Sequence, residues 1–199
     1  MKIVEIFKSI QGEGHFIGMA ATFIRTYGCN LKCDFCDTKQ SWNGSDEFDN
    51  MDIEDIMATV KSLNCQLVVI TGGEPGIHQS LLGDLVDQLK LAGCLVAIET
   101  NGTCEMPSGI DWVTCSPKED ANYVINTLCK PNELKYVVTD DFDITTAIPE
   151  TVREIYAGNI WLQPDGYHMQ DMWHKCYAYV NADNRLRVGV QLHKLMEVQ

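Results

Sequence analysis

Short apolar runs alternate with helical stretches along the whole chain, and that alternation sets the class of fold. Lys2–Phe7, Ala21–Thr26, Gln66–Thr71, Leu95–Thr100, Trp112–Ser116, Glu133–Val138, Ile160–Gln163 and Leu186–Val190 read as strands. Several are dense in Val and Ile, as strands covered on both faces are. Met51–Leu63, Ser80–Ala92, Ile144–Tyr156 and Gln170–Val180 read as helices. In the second of these, Leu81, Leu82, Leu85, Val86 and Leu89 recur at helical spacing and Gly93 follows as a stop. A further short helix is expected over Asn122–Cys129. This order implies a mainly parallel sheet. A complete eight-unit barrel takes ~250 residues, and the chain has 199. The expectation is therefore an α/β fold, a partial (incomplete) TIM-type barrel of about six parallel strands with flanking helices, formed as one domain over residues 1–199. In such sheets ligands sit at the carboxyl ends of the strands. The polar residues that stand out fall there: after Thr26, at Thr71–Pro75, at Glu99–Gly102, at Ser116–Lys118 and at Gln163–Pro164.

Charge narrows the function classes. The formal net charge is −13, which argues against a nucleic-acid binder or a protein that coats anionic membranes, since both need a basic surface. It leaves room for a small anionic substrate held by a few placed cations. No apolar run reaches the ~18 residues of a membrane span. The opening MKIVEIFKSIQGEG carries no secretory pattern, so a cytoplasmic protein is expected. The acidic run Ser45–Asp55 lacks the glycine and terminal glutamate of a calcium loop, and reads as a solvated loop entering a helix N-terminus.

Nine cysteines are too many for chance and odd in number, which fits reduced thiols and metal binding better than a disulfide scaffold. Cys29, Cys33 and Cys36 form C-x-x-x-C-x-x-C directly after a predicted strand. Three close thiolates suit one soft-metal centre. Zinc structural sites take four ligands, usually in two separated pairs, so zinc would need a distant fourth. Three cysteines suit a [4Fe–4S] cluster with one iron left open. Cys65, Cys94, Cys104, Cys115, Cys129 and Cys176 are scattered and read as small buried residues.

This spacing resembles the signature of the radical S-adenosylmethionine (SAM) superfamily. The resemblance implies a radical SAM core whose open iron chelates SAM, with one-electron cleavage giving methionine and a 5′-deoxyadenosyl radical. Phe35 matches the aromatic usual between the last two ligands. Thr71-Gly72-Gly73-Glu74-Pro75 ends a buried strand and resembles the superfamily's GGEP turn. On that likeness Gly72, Gly73 and Glu74 meet SAM, as do Glu99, Asn101, Ser116, Lys118 and Gln163 at other strand ends. By themselves such turns are usually just capped chain reversals.

Other stretches select within the superfamily. Gln11 and Glu13 alternate with glycines, so both side chains can face one way and read the donor and acceptor edge of a heterocycle. Arg25 ends a strand before the cysteines, where a guanidinium could pair with a carboxylate. With Cys36-Asp37-Thr38, Leu134-Lys135-Tyr136-Val137-Val138, Leu162-Gln163-Pro164 and Gln191-Leu192-His193-Lys194, these closely resemble the 7-carboxy-7-deazaguanine synthase family of 7-deazapurine (queuosine) biosynthesis, nearly end to end. The resemblance implies a lyase that converts 6-carboxy-5,6,7,8-tetrahydropterin to 7-carboxy-7-deazaguanine with loss of ammonia, using SAM catalytically. It implies Mg²⁺ at Thr38, in preference to Asp37. It also implies substrate contacts from Gln11, Gly12, Glu13, Arg25, Thr71, His193 and the carboxylate of Gln199. An electron donor of flavodoxin-like or similar type and a homodimer come with it. A glycyl-radical-activating enzyme and a non-catalytic Fe–S or zinc-binding regulator are the alternatives. The first leaves the Gln11–Gly14 and Gln191–Lys194 stretches unexplained; metal and sulfide analysis after anaerobic reconstitution separates the second.

Overall fold

In the computed structural model, the described residues are 1–43, 48–165 and 169–199. They build one nine-stranded sheet: β1 (Lys2–Ile10), β2 (Ala20–Thr26), β3 (Asp49–Asn50), β4 (Leu67–Gly72), β5 (Leu95–Thr100), β6 (Trp112–Cys115), β7 (Glu133–Val138), β8 (Ile160–Pro164) and β9 (Leu186–Val188), in the order β3-β1-β2-β4-β5-β6-β7-β8-β9. From β2 to β9 every neighbouring pair is parallel, so seven strands run the same way, one more than expected. β1 pairs antiparallel with β2, because the chain returns through a tight connection instead of a helical crossover. That pairing extends β1 to Ile10, beyond the predicted Phe7. β3 is a two-residue edge strand on β1. Asp49 and Asn50 are poor strand formers, and the sequence pattern does not reveal it. β3 and β9 form the two edges, and the sheet does not close.

The helices are α1 (Ile53–Leu63), α2 (Gln79–Leu91), α3 (Ile144–Ala147), α4 (Glu150–Ile155), α5 (Met169–Ala182) and α6 (Leu192–Leu195). Asp52 caps α1, accepting from Asp55 N at 2.9 Å, and Asn64 ends it at φ 53°. The acidic run therefore serves a helix start from Asp52 onward; Ser45, Asp46 and Glu47 lie outside the described residues. The helix expected over Ile144–Tyr156 is two short helices, since Pro149 has no N–H to continue the first. Asn122–Cys129 is not a helix: Asn122 and Tyr123 sit at φ 50° and 54°, in the left-handed region. Among the described residues no helix is long and apolar enough to cross a membrane.

Alternation along the strands divides the molecule. Val68, Ile70, Val96, Ile98, Leu134, Tyr136, Ile160 and Leu162 face the main core, with Ile56 and Val60 of α1 and Leu82, Leu85, Val86 and Leu89 of α2. Ala21, Leu67, Val69 and Ala97 form a smaller cluster with Phe16, Phe23, Leu95 and Trp112. Two residues further along the same strands, period two brings Thr71 and Glu99 to that second face. The second face is thus apolar at its lower end and polar at the carboxyl ends, where a cavity opens. Cys115, Cys129 and Cys176 are buried, while Cys65, Cys94 and Cys104 are half-buried; all are free thiols.

Candidate active site

The cavity has a volume of about 450 Å³, within the range of small-molecule sites. Cys29, Cys33 and Cys36 all line it, with Phe35 and Thr38 from the same loop, Thr71, Gly72 and Gly73 after β4, and Glu99 and Asn101 at β5. Ser116, Lys118 and Gln163 complete the predicted residues in the lining, and Glu13 enters from the loop after β1.

The cysteine loop is arranged to present sulfur. Cys36 N donates to Cys33 O at 3.1 Å, turning the chain between those two thiols. Trp42 Nε1 donates to Cys36 Sγ at 3.2 Å, and Leu31 N points at Cys29 Sγ at 3.4 Å. Burial pushes the Cys33 thiol up to about 12, with Asp120 reinforcing it, and burial also raises Cys29. In the free protein these thiols keep their protons, which metal binding releases. Among the described residues no group of three or more His, Cys, Asp or Glu side chains is drawn together as a single-ion site.

The loop seats against the GGEP turn because glycine lies beneath it. A Cβ on Gly73 would come within 2.0 Å of Gly28 O and 2.9 Å of Cys29 Cβ. Glu74 N donates to Gly28 O at 2.8 Å. Glu74 itself is fully buried and outside the cavity lining. Its carboxylate accepts from Gly76 N at 2.9 Å, Thr100 Oγ1 at 2.7 Å and Asn101 N at 2.7 Å. It ties the turn after β4 to the turn after β5, and burial raises its pKa against those bonds.

The sequence reasoning gave no role to Lys135. Its Nζ lies 2.6 Å from both Glu13 Oε2 and Glu99 Oε2. A lysine two residues from Glu133 in a strand that is apolar at Leu134, Tyr136, Val137 and Val138 is the visible signal. Gln191 and Lys194 were also missed, although His193 between them was singled out. Gln191 Nε2 donates to Glu13 Oε1 at 2.8 Å, and Lys194 Nζ donates to Asp37 Oδ2 at 2.8 Å. Burial alone would raise Asp37, but Lys194 and the Thr38 hydroxyl hold it well below the carboxylate range. Thr38 Oγ1 meets Asp37 Oδ1 at 3.1 Å.

Gln11, Gly12, Arg25, His193 and Gln199 stand behind the lining. Gln11 is buried and reaches Glu99 Oε1 at 3.1 Å. His193 packs on Gly12, where a Cβ would meet its Nδ1 at 2.0 Å; burial lowers the His193 pKa. Arg25 Nε pairs with Glu5 Oε1 at 2.8 Å and stacks over Phe7. Gln199 Nε2 donates to Glu5 Oε2 at 2.5 Å, and Ser9 Oγ donates to Gln199 O, so the chain end arrives beside the Glu5–Arg25 pair.

Residues 23–130 match the radical SAM superfamily profile. A 7-carboxy-7-deazaguanine synthase of Bacteroides thetaiotaomicron is 38% identical over 199 residues, covering 100% of this chain and 98% of that one. One of Hyperthermus butylicus is 41% identical, covering 100% of this chain and 93% of that protein. The chain belongs to the 7-carboxy-7-deazaguanine synthase family. The crystal structure of QueE from Escherichia coli is similar in fold as well, with TM-score 0.78, 32% identity and coverage of 96% of this chain and 94% of that one. The protein is accordingly a radical SAM lyase of the 7-carboxy-7-deazaguanine synthase family, and the family's cofactors are a [4Fe–4S] cluster, SAM and Mg²⁺. The residues present fit such groups: three thiols with N–H donors aimed at two of their sulfurs, a glycine turn that brings backbone to the cavity, and a buried Gln163 Oε1 that has no hydrogen-bond partner among the described residues.

Proposed function

We infer that the protein converts 6-carboxy-5,6,7,8-tetrahydropterin to 7-carboxy-7-deazaguanine and ammonia. The observation that carries this is one cavity lined by the three cysteines, the glycine turn after β4 and Glu13 of the QGEG loop, in a chain that aligns with these synthases from end to end. Held by the three cysteines and the glycine turn after β4, the cluster and SAM would supply the radical chemistry at the pterin carbon bearing the carboxylate.

The chain's own residues bind, orient and enclose. Cys29, Cys33 and Cys36 ligate the cluster. Gly72 and Gly73 bring backbone to SAM, with Phe35, Glu99, Asn101, Ser116, Lys118 and Gln163 around it; Glu74 acts from beneath by fixing the turns that carry Gly73 and Asn101. Gln163 Oε1, which has no partner among the described residues, is an acceptor open to a ligand donor. Among the lining lysines, Lys135 and Lys194 are paired with carboxylates, whereas Lys118 donates to the neutral Ser116 hydroxyl at 2.6 Å. That arrangement makes Lys118 the cation best placed for a ligand carboxylate. Thr38 offers its hydroxyl oxygen to Mg²⁺. Glu13 and Thr71 face the pterin, with Gln11 and Gly12 directly behind them setting the Glu13 loop. Arg25, His193 and the Gln199 carboxylate complete the pocket on the β1 side. The unit is one domain over residues 1–199, acting in the cytoplasm as a homodimer with a flavodoxin-like electron donor.

Anaerobic turnover with SAM, Mg²⁺ and reductant tests the reading. Mass spectrometry should find 7-carboxy-7-deazaguanine; none formed by protein with an intact cluster refutes it.

A further inference from the structure

A closed ring of hydrogen bonds lies against the cavity, and one cation holds it together. Lys135 Nζ donates to Glu13 Oε2 and Glu99 Oε2, each at 2.6 Å. Glu99 Oε1 accepts from Gln11 Nε2 at 3.1 Å, and Gln11 Oε1 accepts from Glu13 N at 3.2 Å, which closes the ring. Gln191 Nε2 occupies the remaining Glu13 oxygen at 2.8 Å. The parts come from far apart. Lys135 is on β7 and Glu99 on β5, with β6 between them in the sheet, while Gln11 and Glu13 follow β1. Lys135 therefore spans a strand to join the β5 carboxylate to the loop that meets the pterin.

We propose that Lys135 is a positioning residue for the ring contraction, tying Glu13 to Glu99 and keeping Glu13 a carboxylate that presents acceptors to the pterin edge. The proposal rests on the assignment of Glu13 to the substrate. A protonated Glu13 would present a donor where the carboxylate presents an acceptor. Two carboxylates this deep tend to share a proton unless a cation intervenes. The side chains of Lys135, Glu13 and Glu99 are only 13%, 12% and 21% exposed, so water cannot replace the lysine cheaply.

The charges around Glu13 agree. Burial pushes Glu13 upward and Asp37 of the cysteine loop adds to it; Lys135, with Gln191, outweighs both and leaves it below its ordinary value. Burial pulls Lys135 downward, and Glu13 and Glu99 together reverse that. Among the described residues, Lys118 after β6 and His193 of the C-terminal segment also face Glu13 and Lys135, and Lys194 lies beside His193 and Asp37. With Lys135 removed, burial, Glu99 and Asp37 would all act on Glu13 in the same direction.

The test is a cycle of Lys135→Met, Glu13→Gln and the double variant, with Lys135→Arg as the conservative control, on cluster-loaded protein. K135M should lose ~10²–10³-fold in kcat/KM near neutral pH, the usual scale for stranding one partner of a buried pair. The loss should shrink as pH rises and Glu13 ionises, and K135R should recover most of it. In the E13Q background the same K135M change should cost at most about threefold. A second readout needs no turnover. The infrared spectrum of K135M should gain a protonated-carboxyl C=O band that is absent from wild type, K135R and the double variant. The double variant, with one buried charge fewer, should also unfold at higher temperature than K135M. Additive losses in the cycle, an unchanged pH profile, absence of the band, or a double variant no more stable than K135M each overturn the proposal. If wild type forms no 7-carboxy-7-deazaguanine, the functional reading fails by itself, while the band and the melting order still decide whether Lys135 sets the Glu13 charge.

Discussion

Replacing Glu74 by Gln isolates how the two cavity-lining turns proposed to bind SAM are held together. The carboxylate is fully buried and receives three donors: Gly76 N and Thr100 Oγ1 on one oxygen, Asn101 N on the other. Gln is almost isosteric but offers one acceptor oxygen and one NH₂ group. With its oxygen toward Gly76 and Thr100, the NH₂ faces the Asn101 N–H, donor against donor. Flipped, the NH₂ faces Gly76 N–H, and only the Thr100 hydroxyl can turn to suit. Either way one buried backbone N–H loses its acceptor, at a cost of about 1–3 kcal/mol. For a chain of this size each kcal/mol moves the melting midpoint by ~2–4 °C, so Glu74→Gln should melt ~2–12 °C below wild type. Glu74→Ala strands all three donors and opens a void, so it should melt lower still. The assay is anaerobic thermal unfolding followed by circular dichroism, with SAM affinity measured by calorimetry on the same samples. SAM affinity should fall together with stability, because Gly73 and Asn101 lose their common anchor. A Gln variant that melts like wild type yet no longer binds SAM would refute the reasoning, since Glu74 would then be a direct contact and not a tie beneath the turns.

Cys33→Ala should abolish the cluster, read as iron and sulfide per chain after anaerobic reconstitution; zinc without sulfide in wild type would remove the radical reading altogether. Trp42→Phe deletes the N–H at 3.2 Å from Cys36 Sγ; losing a donor to a ligand sulfur should shift the cluster's midpoint potential to more negative values in a redox titration. Arg25→Ala should keep the cluster and SAM cleavage but raise KM for the pterin about tenfold or more, as loss of a charge-assisted contact does; loss of the cluster would refute that role. Asp183, paired with Arg185 at 2.7 Å, is lowered from 3.8 to about 2, with the Arg185 hydrogen bond the largest cause. Its folded-state pKa is depressed, so its contribution is present above about 3.8 and lost as pH falls through about 2. The stability difference between wild type and Asp183→Asn in urea should therefore be present at neutral pH and vanish towards about pH 2.

Most of the sheet was legible because its signal is local. Val68–Ile70 and Leu95–Ile98 are apolar runs of strand length, and the helix at Leu82, Leu85, Val86 and Leu89 declares itself by spacing. The failures are also physical. The two-residue β3 exists by pairing with β1 and not by propensity. The break at Pro149 turns on one missing N–H. At Asn122–Tyr123 two successive residues take left-handed backbone that helical periodicity does not anticipate. The cysteine spacing pointed to one centre, and the strand-end rule gathered the other turns around the same cavity. Glu74 shows the limit of that rule: its motif placed it at the site, but which way the side chain points was decided by Thr100 and Asn101, 26 and 27 residues away.

The C-terminal segment makes the same point on a larger scale and bears on how an open sheet can enclose radical chemistry. β9 is an edge, so nothing in the strand ladder closes the side of the cavity between β9 and β1. The chain after β9 does so instead. Leu192 N donates to Gly12 O at 2.9 Å, His193 packs on Gly12, Gln191 reaches Glu13 and Lys194 reaches Asp37. These bonds join residues 178 and 157 positions apart, beyond any local pattern. The two lysines at the cavity that carry salt bridges, Lys135 of β7 and Lys194 of this segment, face the protein's own carboxylates Glu13, Glu99 and Asp37: in a chain of net charge −13, carboxylates at the cavity must be neutralised before an anionic ligand can approach. Lys118, whose hydrogen bond goes to a neutral hydroxyl, is then the lining lysine without a salt bridge among the described residues, in keeping with its proposed place beside a ligand carboxylate. The segment after β9 therefore supplies the enclosure and, through Lys194, the partner of Asp37, while Lys135 of β7 partners Glu13; loosening the segment should weaken the enclosure and the Asp37 pairing together.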